Sequence, residues 1–229
     1  MTTTRLVAAA IIVAVLAGYP AIPTAQQESD EAKRIRDAAT AFGEIMGAED
    51  NAIPTTILGK AEGIAIFPGT IKAGFVVGGM RGRGVISART NGAWSAPAFL
   101  TLTGGSFGLQ IGGQAADIIL VISNRRGVES LVSNQFKLGA DAAVSAGPVG
   151  RDAQAATDLQ LRAQILSYSR SRGLFAGVTV NGSTVRPDRD ANERFYGKRL
   201  DTKQILFEPP PSSPAPVALW METLNKYAR

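Results

Sequence analysis

The chain has no cysteine and no histidine, and only 19% of its residues are charged. Each shortage removes chemistry. Without cysteine there is no disulfide, no thiolate nucleophile or zinc ligand, and no lipidated cysteine to tether the chain. Without histidine there is no Ser-His-Asp or Cys-His triad, no imidazole metal ligand and no ordinary proton switch near neutral pH. Any catalysis would rest on carboxylates, Lys, Ser or Tyr alone. Aromatics are sparse at 7% and the basic residues are not dense, which counts against a nucleic-acid partner.

Glycine is what the chain has in excess: 25 in 229 residues, about 11% against an average of about 7%. With the low charge, this composition describes a compact, turn-rich, buried β protein. The length suits one domain with extensions around one sizeable core.

Arg5 precedes an apolar run at 6–17, which then meets Gly18, Tyr19, Pro20 and Pro23. A membrane-spanning helix needs about 20 residues, so a run this short behind a positive charge reads as a secretory signal peptide over 1–25. The chain is therefore expected to be exported, to a bacterial periplasm or envelope. Val15-Leu16-Ala17 has cleavage-site spacing, whereas Pro23-Thr24-Ala25 puts proline where a small residue is wanted. A buried N-terminal helix of a cytosolic protein is the plain alternative. Removing 1–25 takes away Arg5 alone and leaves a net charge of +4.

After it, Ser29 and Asp30 can cap a helix whose apolar positions Ile35, Ala38, Ala39, Phe42, Ile45 and Met46 repeat at helical spacing, ending near Gly47. Pro54 opens a short second helix over 55–60. Glycine-punctuated apolar runs then predict strands at 63–68, ended by Pro68, at 73–80 and at 84–89. Asn91-Gly92 and Asn181-Gly182 each sit between strand-like runs, the strongest short hairpin signal. Residues 100–103 and 107–111 alternate like half-buried antiparallel strands, and 118–122 is continuous apolar and so central. A short helix is expected at 126–133, strands at 137–146, 164–169 and 174–180, and a helical turn from Asp188 to Tyr196. The predicted fold is α+β: a mainly antiparallel, glycine-rich, twisted or barrel-like sheet with peripheral helices. The domain is placed at 26–208, followed by a Pro-rich spacer at 209–216 and an amphipathic helix at 217–229.

Gly104-Gly105-Ser106-Phe107-Gly108 matches the G-x-S-x-G nucleophile elbow in letters. No histidine exists to take the proton, and the following residues alternate like a strand where the elbow needs a helix, so a glycine-rich hairpin turn is the expected role. Gly78-Gly79, Gly82 and Gly84 around Arg81 and Arg83 lack the spacing of a phosphate-cradling loop; glycine repeated in strands more often permits a bend or the close approach of another backbone. Asp117, Asp141, Asp152 and Asp158 could pair as catalytic or cation-binding carboxylates, but no Ca²⁺-loop spacing links them. No enzyme, cofactor or metal is expected.

Charge is more informative. Residues 60–90 hold Lys60, Lys72, Arg81, Arg83 and Arg89 against Glu62 alone, and 151–187 hold Arg151, Arg162, Arg170, Arg172 and Arg186 against Asp152 and Asp158. If these segments are neighbours, they form a cationic surface suited to anionic head groups; a merely solvated face is the bland reading.

The ordered blocks Lys60-Ala61-Glu62-Gly63-Ile64-Ala65-Ile66-Phe67-Pro68, Lys72-Ala73-Gly74-Phe75 and Gly82-Arg83-Gly84-Val85 resemble the opening of the SYLF lipid-binding domain family. Trp94-Ser95-Ala96-Pro97-Ala98-Phe99, the glycine-rich 104–112, Leu138-Gly139-Ala140-Asp141-Ala142, Gly147-Pro148-Val149-Gly150 and the 168–177 block are similar to its later ones, so the resemblance covers about 45–200. It implies a non-enzymatic module that binds membrane lipids, phosphoinositides in eukaryotic members, some of which also bind actin. The basic leading segment of those members is replaced here by 26–59, where Lys33, Arg34 and Arg36 face seven acids. Anionic phospholipid is thus expected on Lys60, Lys72, Arg81, Arg83, Arg170 and Arg172. The second expectation is a protein partner on the helix face of Val217, Trp220, Met221, Leu224 and Tyr227, unless that helix docks on the body.

Overall fold

The computed structural model describes residues 28–48, 52–150, 163–171, 174–208 and 215–229, with backbone alone at 74–77, 106–113 and 215. The signal-peptide segment, Asp152, Asp158, Arg172 and all but the end of the Pro-rich spacer lie outside the described residues.

Two long strands, β1 (Gly63–Thr90) and β3 (Ala98–Ile122), pair antiparallel from Gly63↔Ile122 to Ile86↔Ala98. They form a two-stranded ribbon that doubles back on itself. The Arg89 N–H donates to the Glu62 carbonyl at 2.8 Å. Further along, a Cβ at Gly84 would stand 2.2 Å from the Ile66 carbonyl oxygen, and one at Gly82 2.3 Å from Thr70 Oγ1. Glycine at these two positions lets one arm of the ribbon lie against the other. The fold-back centres on a register shift: Gly74 pairs with Gly112 and Val76 with Gly108, leaving Phe75 opposite 109–111. A bulge of this kind sharpens a bend.

Each arm recruits further strands. β6 (Ile165–Ser171) pairs with β3 from Asp117 to Ile122, and β8 (Thr184–Pro187) pairs with it from Leu100 to Thr103. β5 (Val144–Ala146) lies parallel to β6, β7 (Leu174–Gly177) antiparallel to it, and β4 (Phe136–Lys137) beside β8. With β2 (Ala93–Trp94) on the edge of β1, the described residues make one strongly curled, mainly antiparallel half-barrel of eight strands. The α+β expectation holds.

Both faces of the central strands are buried, which is why 63–67 and 118–122 are continuously apolar. Ile64, Ile66, Ile119 and Val121 point into one cluster with α1 (Asp30–Met46) and the C-terminal helix. Ala65, Phe67, Ile118, Leu120 and Ile122 point into the other, with α3 (Arg125–Leu131) and α5 (Thr202–Phe207). α2 (Thr55–Leu58) and α4 (Arg189–Tyr196) complete the described helices before α6 (Ala215–Tyr227).

Several expectations need correcting. Pro68 does not end a strand: Pro68 and Gly69, whose φ is +56°, fall in a second register shift, and the strand continues. The runs at 63–68, 73–80 and 84–89 are one strand, and the glycine stretch at 104–108 is strand interior rather than a hairpin turn. Asn91-Gly92 does turn a hairpin, with φ of 51° and 80° and Arg89 opposite Trp94. Asn181-Gly182 turns the chain, but its flanks do not pair: Thr184–Pro187 is claimed by β3 and β4 instead.

The tail helix is part of the core. Val217, Trp220 and Leu224 are buried against α1 and β1, Tyr227 meets Phe42 edge to face, and Met221 packs on the same cluster. Trp220 Nε1 donates to Ser87 Oγ at 2.8 Å, while Trp94 Nε1 and Arg89 Nη2 donate to the Ala228 carbonyl at 2.9 and 2.7 Å. The face expected to hold a protein partner is therefore occupied by the protein's own body, where burial takes its aromatic and aliphatic surface out of water.

Candidate functional site: a cationic β-ribbon

From 63 to 116, the whole ribbon except its last turn of β3, the sequence contains Lys72, Arg81, Arg83 and Arg89 and no Asp or Glu. Arg89 is committed: its guanidinium stacks 4.8 Å from the Trp94 ring and donates to the backbone carbonyl of Ala228. Arg81 and Arg83 are exposed, two residues apart on β1 and so on one face of it, opposite Thr103 and Thr101. Lys72 is half-buried, and burial lowers its pKa below the ordinary 10.5. Lys60 is exposed in the turn leading into β1. Among the described residues none of Lys60, Lys72, Arg81 and Arg83 has a carboxylate within salt-bridge distance.

Arg170 differs. It is opposite Asp117 on β6, donates to Asp117 Oδ2 through Nε at 2.9 Å and Nη2 at 2.8 Å, and also pairs with Glu44 of α1. Burial works against its cation, but the hydrogen bonds to Asp117 and Glu44 outweigh burial and raise its pKa. Asp117 accepts in addition from the Gly69 N–H at 2.9 Å. This trio ties α1, the Pro68–Gly69 bulge and β6 together, so Arg170 is a structural cation rather than an open one.

The carboxylates form no catalytic pair among the described residues. Asp117 is consumed as above, and Asp141 accepts the Lys137 N–H at 2.6 Å in its own turn. Ser106 is in mid-strand, opposite Gly78, with β3 continuing beyond it where a nucleophile elbow would start a helix. A surface cleft of about 330 Å³ is lined by Arg186 and Arg189 but equally by Asp188 and Asp190, which leaves it without a net charge to offer an anion. No three His, Cys, Asp or Glu residues converge among the described residues, and none of the described helices is long and apolar enough to cross a membrane. The Tyr168 hydroxyl is buried without a hydrogen-bond partner and its pKa is raised by burial; its ring stacks on Phe175 at 5.5 Å.

The pattern of the Ysc84 family, described as "Las17-binding protein actin regulator", matches residues 103–227, more than half of the chain. The chain belongs to the Ysc84 family. This is the SYLF family that the ordered sequence blocks resemble. The matched stretch runs through α6, in keeping with that helix's place in the core. LAS seventeen-binding protein 3 of Saccharomyces cerevisiae is 37% identical over 194 residues, covering 82% of this chain and 42% of the relative. Protein YSC84 of the same yeast is 36% identical over 185 residues, 79% of this chain and 39% of the relative. Human SH3 domain-containing YSC84-like protein 1 is 34% identical over 189 residues, 81% and 55%. The chain thus spans about half the length of the curated relatives it matches. These relatives are eukaryotic, and they lend no support to the bacterial envelope expected from the N-terminus.

Proposed function

We propose that this chain is a non-enzymatic binding module that adsorbs on anionic phospholipid through the cationic ribbon, with Lys60, Lys72, Arg81 and Arg83 as contacts. The observation that carries the reading is the absence of any acid from 63 to 116 while none of its four basic residues has a carboxylate partner among the described residues, Arg89 alone being held, by the Ala228 carbonyl and the Trp94 ring. Arg170 contributes field but not a free head-group contact, since Asp117 and Glu44 hold it. At about 1 kcal/mol per basic residue near an anionic surface, the four cations supply about 4 kcal/mol. That corresponds to a binding constant on the order of 10³ M⁻¹, enough to orient the protein and too little to hold it without apolar contact.

Co-sedimentation with phosphatidylglycerol liposomes tests this. Binding at low salt should weaken steeply as ions screen the surface, and Arg81→Glu with Arg83→Glu should reduce it at least ten-fold. No low-salt binding by the unaltered protein would sink the lipid reading; full binding by the double variant would sink the site. The relatives named for binding Las17 favour a protein partner as the second reading, on a surface other than the buried α6 face. Export through the segment 1–25 remains our proposal, and N-terminal sequencing of protein recovered from an expressing bacterium's periplasm, starting after residue 17 or 25, is the expected result.

A further inference from the structure

Between the last contacts with β6 and β8, the ribbon has no neighbouring strand among the described residues. β3 is paired with β6 only from Asp117 onward and with β8 only up to Thr103, so over 104–116 and the facing 71–80 the two strands of the ribbon pair only with each other, while Ser171 reaches Ala115 and Gln114 at the base. Because the ribbon doubles back near Phe75, this stretch forms a projecting apex of about five residues each way, or about 17 Å at about 3.3 Å per strand residue. Its sequence is apolar and glycine-rich: Phe75, Val76, Val77, Phe107, Leu109 and Ile111, without one acid.

The base of the apex is apolar as well. Large exposed apolar side chains among the described residues are three: Ile71 at 59%, Leu174 at 79% and Leu219 at 43%. Two of these flank the base of the apex. Ile71 pairs with Ala115, and Leu174 pairs with Ser171, whose Oγ donates to the Ala115 carbonyl at 3.2 Å. Asp117 is opposite Arg170, which sets Ser171 level with Ala116, so Ile71 and Leu174 are one residue step apart and on opposite faces of the sheet. Lys72 adjoins Ile71, and Arg81 stands where the returning arm re-enters the sheet. An apolar projection with an apolar collar and a rim of cations matches an interface with fatty acyl chains below and anionic head groups around them.

We infer that the ribbon apex is a membrane-inserting element: 74–77 and 107–111 enter the head-group and acyl boundary of an anionic bilayer, Ile71 and Leu174 seat at its surface, and Lys72 and Arg81 engage phosphates. The inference rests on the lipid-surface reading above and adds to it where, and how deeply, the protein enters. The depth reached by interfacial elements is about 5–10 Å, within the apex's length.

The experiment uses the full chain with vesicles of phosphatidylglycerol and phosphatidylcholine. Both native tryptophans, Trp94 and Trp220, are buried, so a Phe75→Trp or Leu109→Trp variant adds a reporter on a quiet background. On vesicle binding its emission should shift to the blue and be quenched at least two-fold by lipids brominated along the acyl chain. A second variant, Ile71→Asp with Leu174→Asp, alters exposed positions and should fold as the parent does, judged by an unchanged melting temperature, while losing at least ten-fold of the binding that survives high salt. Sedimentation with vesicles but no quenching at 75 or 109 would overturn apex insertion and leave the lipid reading standing. Failure of the unaltered protein to sediment would overturn both. A concentration-dependent doubling of mass without lipid that Ile71→Asp with Leu174→Asp abolishes would assign the apex to a second copy of the chain and overturn the inference.

Discussion

At the scale of the residue, the glycines divide by what surrounds them. Gly84 is the tightest point of the ribbon's fold-back, because the atom a Cβ would strike is the Ile66 backbone oxygen at 2.2 Å, with the Phe67 ring at 2.6 Å behind it. A backbone carbonyl cannot move aside as a side-chain tip can. Gly79 is in the same strand, its φ is not positive, and nothing is within 4 Å of its missing Cβ. Gly84→Ala should therefore cost about 3 kcal/mol, at the upper end of overpacking penalties. Gly79→Ala should fall within about 0.5 kcal/mol of the parent. Urea unfolding of the two variants checks the contrast, and equal midpoints would refute the doubled ribbon. The sequence alone separates neither position from the other, since both are glycines in a glycine-rich strand. The distinction comes from Ile66, eighteen positions away, which only the fold brings near.

At the scale of the element, local signals were legible where the physics is local. Ser29 caps α1 by accepting the Ala32 N–H, as its spacing predicts, and Asn91 and Gly92 adopt the positive φ of a two-residue hairpin. Asp201 and Gln204 form a reciprocal capping box on α5 that the sequence reading passed over, although an Asp three residues ahead of Gln was a sufficient sign. Pairing partners were not legible. Thr184–Pro187 joins β3 and β4 rather than 178–180, a choice between distant strands that no adjacent residue encodes. The cations of the candidate site divide in the same way: Arg81 and Arg83 could be placed on one face from their spacing, but nothing near Arg170 announced Asp117 and Glu44. For α6 the outcome is an energetic one. Trp220 is fully buried and donates to Ser87, so Trp220→Ala should destabilise by about 3–5 kcal/mol. Deleting 215–229 should leave a chain that exposes Phe42 and Ile64 and aggregates. Guanidinium melts of Trp220→Ala and the solubility of the truncated chain test this; a truncated chain as stable as the parent would restore α6 to the role of a detachable partner helix.

At the scale of the whole molecule, the opposite charges occupy different elements. Two acids of α1 reach other elements, Glu31 to Arg194 at 2.8 Å and Glu44 to Arg170, while Asp188 takes the buried Arg34 at 2.9 Å. From 63 to 116 the ribbon has no acid, and it keeps Arg81 and Arg83 outward. The protein is therefore polarised between a helix side knitted together by ion pairs and a ribbon side with charge to spend on something else. Because the chain has no histidine, it lacks the side chain whose ordinary pKa would step the charge near about pH 6.5, and liposome affinity should show no step there. The first change should come on the alkaline side. Burial disfavours the charged form of Lys72 and lowers its pKa from 10.5, so Lys72 loses its proton before an unfolded lysine would. In that window the folded state holds fewer protons than the unfolded one, and stability attributable to Lys72 rises with pH. Lipid affinity moves the opposite way, falling as the cation is lost. Lys72→Arg, which stays protonated, should shift that fall to higher pH and remove the associated gain in stability. Vesicle binding and urea midpoints measured together from pH 5.5 to 10.5 read both trends. A step in affinity near pH 6.5, or an alkaline fall that Lys72→Arg leaves in place, would mean that the surface meeting the lipid is not the ribbon.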